Sequence, residues 1–355
     1  MSEKKILVIG PYPPPLGGGT VECLTLTNCL MECYTTTSIT KFNTNREGFA
    51  LLWLPGLISK VLRADSVFVY GSHRRVCLFC IFFIPFSKLF RKRSVVKIAG
   101  GNLWEYFNSG NFALRTLIKL TLFRANTVFL ETRYLVEKFR QHHPDVHWFP
   151  NTRLRSSVSV DSNHGTVHSD HAPSLDSDAR LRIVYLGHIN EAKGISLLLD
   201  AADGLDSITI DAFGEFDAKD GRQLSEDTFR GRNVNYQGVV QPSELSEVLD
   251  QYDVLVLPTR YIGEGYPGVI IEAKRAGLAV LSTRWRSIPE IVNHKVDGLL
   301  ITPGDVTELT AALNELNSNR DLLRTLQKGS FESFSNFDCQ VWCRKLIEHL
   351  TGNGK

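Results

Sequence analysis

At 355 residues, 43% of them apolar, the chain is too long for one ordinary core and suits two well-packed domains of roughly 150 residues each. The formal net charge is only +2, but residues 1–150 carry 19 Lys and Arg against 9 Asp and Glu, and residues 151–355 carry 21 against 29; a basic front half points to an anionic partner, either a membrane surface or nucleic acid. Seven cysteines without paired CxxC elements exclude a zinc frame readable from spacing and predict buried, reduced thiols.

The N-terminus, MSEKKILVIG, passes into a strand without the apolar run of a signal peptide, so a cytoplasmic protein is expected. Lys5 to Gly10 reads as a buried parallel strand, followed by Pro13-Pro14-Pro15, Gly17-Gly18-Gly19-Thr20 and a helix over Val21–Met31. Strand, glycine turn and helix N-terminus together make an anion-binding arrangement, because free N–H groups and the helix dipole face the loop. It is not the GxGxxG dinucleotide fingerprint.

Residues 76–86, VCLFCIFFIPF, are the most apolar run. Broken by Pro85 and well short of the roughly 20 residues of a membrane span, the run predicts a core helix. Arg74 and Arg75 precede it, Lys88, Arg91, Lys92 and Arg93 follow, and Arg115, Lys119 and Arg124 come on the next helical stretch. With Phe79, Phe82, Phe83, Phe86 and Phe90 among them, these residues suggest docking on anionic headgroups, each basic residue contributing about 1 kcal/mol. Strands over Val95–Ala99 and Thr127–Leu130 end in Gly100-Gly101-Asn102 and Glu131-Thr132.

Residues 155–180 are rich in Ser, Asp and His and read as a linker or surface insertion. His164, His168 and His171 lie in that polar stretch without neighbouring ligands and do not imply a metal. From Leu181 a second series begins. It comprises strands over Arg182–Gly187, Ile208–Phe213, Val234–Gln237 and Val254–Pro258, and helices over Ser196–Ala202, Pro242–Tyr252, Asp305–Leu316 and Phe331–Leu350. The fold class is therefore α/β, with two doubly wound sheets and ligand sites beyond the strands' carboxyl ends. The expected division is 1–154, a linker 155–180, 181–330, and a C-terminal helix 331–355 packing back toward the first domain.

Three elements of the second domain fall at strand carboxyl ends: Gly187-His188 with Lys193-Gly194, Phe213-Gly214-Glu215, and the loop from Gly263 to Gly268. Lys193 can then face the N-terminus of a helix beginning near Pro267, which makes a diphosphate pocket. Glu272 follows the apolar run Val269-Ile270-Ile271, where a carboxylate needs donors such as the two hydroxyls of a ribose. Glu264, between two glycines, can accept from sugar hydroxyls and support positive charge developing at an anomeric carbon.

The stretch GEGYPGVIIEA followed by GLAVLSTRWRSIPEIV, with YLGHINEAKG about 70 residues earlier and PPPLGGGT near the N-terminus, resembles the retaining glycosyltransferases of family 4, which have the GT-B fold, two Rossmann-like domains facing across a cleft. The resemblance implies that Glu272 holds the ribose, that Glu264 and the backbone of Gly265, Tyr266, Pro267, Gly268 and Val269 hold donor sugar and phosphates, and that Lys193 holds the diphosphate. It also implies that Gly238-Val239 packs on the base and that Gly18 and Gly19 close over the phosphates. No metal and no cofactor beyond the sugar nucleotide are implied. Where many members have arginine this chain has His188, and where many have His-Gly it has Ala99-Gly100. Glu105, near Trp104 and Tyr106, is the acceptor-side candidate.

The expected function is retaining transfer of a sugar from a nucleotide diphosphate to a glycan or lipid-linked acceptor, in cell-surface polysaccharide synthesis. The alternatives are a non-catalytic GT-B subunit of a glycosyltransferase complex and a nucleotide-sugar epimerase. Nucleic-acid binding has only the basic front half in its favour.

Overall fold

The computed structural model describes residues 4–15, 17–34, 37–45, 54–155, 180–217 and 224–352. They form two compact units, one of residues 1–154 with 337–355 and one of residues 155–336. Almost all of the polar stretch expected to be a linker, with its three histidines, lies outside the described residues.

In chain order the first unit has β1 (Lys4–Gly10), α1 (Gly18–Cys33), β2 (Thr37–Asn43), α2 (Leu54–Arg63), β3 (Ser66–Ser72), α3 (His73–Leu89), β4 (Arg93–Ala99), α4 (Leu103–Ser109), α5 (Phe112–Leu120), β5 (Thr127–Leu130), α6 (Arg133–Phe139) and β6 (Val146–Trp148). The strands make one parallel six-stranded sheet in the order β2-β1-β3-β4-β5-β6. The uninterrupted apolar run of β1 follows from burial on both faces. Leu7 and Ile9 join one core with Val69, Val96 and α3, whereas Ile6 and Val8 join another with α1 and the C-terminal helix.

The second unit has β7 (Leu181–Leu186), α7 (Ile195–Ala202), β8 (Ile208–Phe213), β9 (Asn235–Tyr236), α8 (Leu245–Leu249), β10 (Val254–Leu257), α9 (Gly268–Arg275), β11 (Ala279–Thr283), β12 (Gly298–Ile301), α10 (Val306–Ser318) and α11 (Arg320–Ser333). Its sheet is again parallel and six-stranded, in the order β12-β11-β10-β7-β8-β9. Strand order reverses between β1 and β3 in one sheet and between β7 and β10 in the other, and such a switch point is where doubly wound sheets bind ligands.

The stretch Phe331–Leu350, expected as one helix, is two. α11 ends at Ser333, a 3-10 turn spans Phe334–Phe337, and α12 runs Cys339–Thr351. Asp338 restarts the helix by accepting from the Gln340 N–H, as an N-cap does. α12 belongs to the first unit and inserts Trp342, Leu346 and Leu350 into its core. Ser66 and Arg93, at the starts of β3 and β4, donate to the terminal carbonyls of Leu350 and His349.

The apolar run 76–86 lies within α3, as a core helix, but its aromatic residues divide. Phe83 is buried in the core and Phe79 and Phe86 pack against that core, while Phe82 and Phe90 are 59% and 42% exposed. A basic apolar surface therefore rests on Phe82, Phe90, Leu78, Leu89 and Phe112, the last 85% exposed, rather than on the five phenylalanines together. Among the described residues no helix is long and apolar enough to cross a membrane.

Candidate active site

The loops after β7 and β10 meet at the switch point of the second sheet. Gly194 has φ +84°, and a Cβ there would lie 2.1 Å from the carbonyl oxygen of Pro258, so only glycine permits this approach. The Arg260 N–H donates to the Ala192 carbonyl at 2.7 Å. Gly214, at the end of β8, is fixed in the same way: a Cβ would meet the Gly187 carbonyl oxygen at 1.8 Å.

Lys193 lies on this seam with its N–H on Asn190 Oδ1 at 2.9 Å. Its ammonium donates to Glu264 Oε1 at 3.0 Å and Oε2 at 2.7 Å, and it sits 5.0 Å from the centre of the Tyr261 ring. The Thr259 hydroxyl donates to Glu264 Oε2 at 2.8 Å. Glu264 is 6% exposed, a burial that a carboxylate accepts only with partners of this kind. An ammonium has three protons and a carboxylate about four acceptor positions. With two protons on Glu264, Lys193 keeps one for another anion, and Glu264 keeps acceptor capacity on Oε1.

The chain turns from Glu264 through buried Gly265, Tyr266 and Pro267 into α9. The Tyr266 side chain is buried and donates to Glu290 Oε2 at 2.6 Å, so the segment offers a ligand its backbone rather than this ring. Pro267 caps α9, and the first N–H groups of a helix have no intrahelical acceptor. Gly268 and Val269 are half-buried there. Glu272, one turn further on, is 7% exposed and paired with Arg275 at 2.9 Å.

His188 is exposed at the end of β7, and its carbonyl accepts from the Tyr185 hydroxyl at 2.7 Å. Gly238 has φ +85° and accepts from the Gly214 N–H at 2.8 Å, with Val239 51% exposed beside it. The second-unit residues singled out from sequence thus gather at the carboxyl edge of one sheet. Thr259 and Asn190 were missed; Thr259 follows Pro258 at a strand end, which is the position that could have flagged it.

In the first unit, Gly18 and Gly19 are the opening residues of α1 rather than a turn before it, with Gly17 as N-cap. Both are exposed, and a Cβ on Gly18 would meet nothing within 4 Å. Glycine in a helix costs about 1 kcal/mol relative to alanine, and nothing in the described fold requires it at Gly18. Gly100, at the end of β4, has φ +89° and donates its N–H to buried Glu131 at 2.8 Å. Glu105 is exposed in the first turn of α4. The first unit also holds an ion pair not singled out from sequence: Lys97, 0% exposed, on Glu22, 1% exposed, with the Tyr70 hydroxyl on Glu22 at 2.6 Å.

Residues 180–319 match the family model described as Glycosyl transferases group 1, the resemblance read from the motifs. The amylovoran biosynthesis glycosyltransferase AmsK of Erwinia amylovora is 26% identical over 181 residues, 48% of this chain and 44% of that protein. The putative colanic acid biosynthesis glycosyltransferase WcaL of Salmonella typhimurium is 27% identical over 207 residues, 55% of this chain and 50% of that protein. The chain spans about half the length of these relatives or less. Among solved structures, Anabaena Alr3699/HepE in complex with UDP aligns with a TM-score of 0.72 at 17% identity, over 98% of this chain and 100% of that one. Sucrose-phosphate synthase from Thermosynechococcus elongatus aligns with a TM-score of 0.70 at 15% identity, over 98% of both chains. The fold is that of the GT-B glycosyltransferases.

Proposed function

We propose that the chain is a retaining glycosyltransferase that moves a sugar from a nucleotide-diphosphate donor to a glycan or lipid-linked acceptor in cell-surface polysaccharide synthesis. The observation that carries this reading is the Lys193–Glu264–Thr259 cluster beside the N-terminus of α9, at the switch point of the second sheet. It supplies a cation and helix N–H groups for a diphosphate, and a buried carboxylate for the sugar attached to it. Glu272, one turn into the same helix, is the carboxylate we assign to the ribose. Alr3699/HepE has been solved in complex with UDP and with UDP-glucose, which supports a uridine diphosphate sugar as the first donor to test.

Transfer requires the bond between anomeric carbon and phosphate oxygen to lengthen. Negative charge then grows on the diphosphate, where Lys193 and the first N–H groups of α9 oppose it, and positive charge grows at the anomeric carbon, where Glu264 opposes it. No second carboxylate stands beside Glu264 in the motif as a nucleophile, which favours attack by the acceptor from the face the diphosphate leaves. No metal is assigned a role in transfer.

The exposed basic and apolar residues around α3 and α5 (Arg74, Arg75, Lys88, Arg91, Lys119, Phe82, Phe112) fit an anionic membrane surface at which a lipid-linked acceptor is presented. A thermal-shift panel of nucleotide sugars, followed by donor hydrolysis, tests the central reading. Stabilisation by a uridine diphosphate sugar with slow release of sugar supports it; indifference to every nucleotide sugar rejects it. Sedimentation with anionic vesicles at low salt tests the membrane face, and failure to sediment removes that part alone.

A further inference from the structure

Four of the seven cysteines form two pairs with i, i+4 spacing, Cys29 and Cys33 on α1 and Cys339 and Cys343 on α12. That spacing sets both sulfurs of a pair on one face of a helix. The Sγ atoms of Cys29 and Cys33 lie 3.9 Å apart, and those of Cys339 and Cys343 lie 3.7 Å apart. Across the helix contact, the sulfurs of Cys29, Cys339 and Cys343 all lie within 4.8 Å of one another. Sulfurs bound at about 2.3 Å to a tetrahedral centre are about 3.8 Å apart, so both intrahelical edges already have the length a metal would impose.

Cys29, Cys339 and Cys343 are fully buried, while Cys33 is exposed. The cluster therefore has three shielded ligands and one side open to solvent, a path by which an ion can enter. Cys339 is the first residue of α12, where a helix N-terminus favours thiolate. Arg344, the next residue after Cys343, places positive charge near Cys33. Leucine or alanine would fill an apolar helix contact as well as these side chains do. What three touching sulfurs add is the capacity to hold a soft cation.

We propose that Cys29, Cys33, Cys339 and Cys343 bind one thiophilic divalent ion, zinc by chemical class, that fastens α12 to α1. Cys33 lies outside the group of three and completes the tetrahedron by a change of side-chain rotamer. Binding forms four metal–sulfur bonds and releases the thiol protons to solvent; nothing is oxidised. The site is separate from sugar transfer, and its test does not depend on that activity.

The full chain, purified without chelator, is loaded with excess Zn2+ or Co2+ and desalted, and the retained metal is counted. The expected result is about one ion per chain, with the thiolate charge-transfer and tetrahedral visible bands of cobalt. A Cys29→Ser/Cys343→Ser variant with wild-type far-ultraviolet dichroism is expected to lose both, and chelator should lower the wild-type melting temperature. Retention no higher than the desalted blank overturns the proposal, as does a cobalt spectrum unchanged in the double variant or recovery of the buried cysteines as a disulfide. If the serine variant does not fold, zinc release from the wild type by a mercurial decides: release in step with modification of these four cysteines supports the site, and no release overturns it.

Discussion

Lys193 holds Glu264 by both carboxylate oxygens, at 3.0 and 2.7 Å, so the groups read separately from the sequence as a phosphate contact and a sugar contact form one unit. Lys193→Ala should weaken nucleotide diphosphate binding ten- to a hundredfold, as expected for one or two charge-assisted hydrogen bonds. Glu264→Gln keeps the ammonium and should weaken it much less while lowering turnover. The double variant should turn over no more slowly than the worse single one, because each change disables the same pair. Calorimetry with the free nucleotide and steady-state rates check this, and strict additivity would count against a shared unit.

Glu272 is buried on α9, 7% exposed, with Arg275 as an ion-pair partner at 2.9 Å. Glu272→Ala removes one partner of this largely buried pair and is expected to cost about 1–3 kcal/mol, to leave the chain folded, and to abolish transfer. Turnover at the wild-type level in a folded variant rejects the site assignment.

Gly194 and Gly204 both have φ near +80°, but a Cβ at Gly194 runs into the Pro258 carbonyl at 2.1 Å while one at Gly204 meets nothing within 4 Å. Gly204→Ala should cost only the left-handed backbone penalty, about 1–2 kcal/mol. Gly194→Ala should cost more than that and also weaken nucleotide binding, since it pushes the Lys193 loop off the Glu264 loop. Urea melts of the two variants isolate the close approach.

The buried pair of Lys97 and Glu22 offers a stability test away from the donor site. Lys97→Met leaves Glu22, 1% exposed, with the Tyr70 hydroxyl and the Thr152 N–H but no cation, and should cost about 3–5 kcal/mol. Adding Glu22→Gln should recover part of that loss, as denaturant midpoints will report. A double variant less stable than Lys97→Met would show that the charge on Glu22 was not the cause.

Burial, then the charges of His147 and Arg93, hold the His349 pKa below its ordinary value, against the opposing pull of Asp145 and Glu348. A lowered pKa means that the unfolded chain takes up the proton first as pH falls. The stability contributed by neutral His349 is thus complete above about pH 6.5 and is lost as pH drops below that toward the folded value. Melting temperatures between about pH 7 and pH 5 should fall more steeply in wild type than in His349→Gln. An identical slope in the two would assign the loss to other groups.

β1 and β10 were legible because strands buried on both faces read as unbroken apolar runs, and β4 and β7 were legible although Lys97 and Arg182 interrupt them; β3, buried over Ser66–Gly71, was not read. β2 was not, since Thr37–Asn43 is an edge strand of mostly polar residues with only Phe42 buried. β6 has only three residues. The gathering of Lys193, Glu264 and Glu272 was readable because parallel strands deliver their loops to one edge. The bond between Lys193 and Glu264 and the role of Thr259 were not, since these depend on side-chain direction. The cysteine cluster was hidden for a different reason: its two halves lie about 300 residues apart, and only the packing of α12 on α1 joins them.

That packing also sets an order of events. The core of the first unit lacks Trp342, Leu346 and Leu350 until α12 exists, and during synthesis the residues from 155 to 338 take roughly 10–40 s to emerge. One apolar face of the first sheet must wait that long for its cover. The newborn chain is therefore most exposed to aggregation and to chaperones after the rest of its first unit has been made, and it is the emergence of α12 that ends the interval.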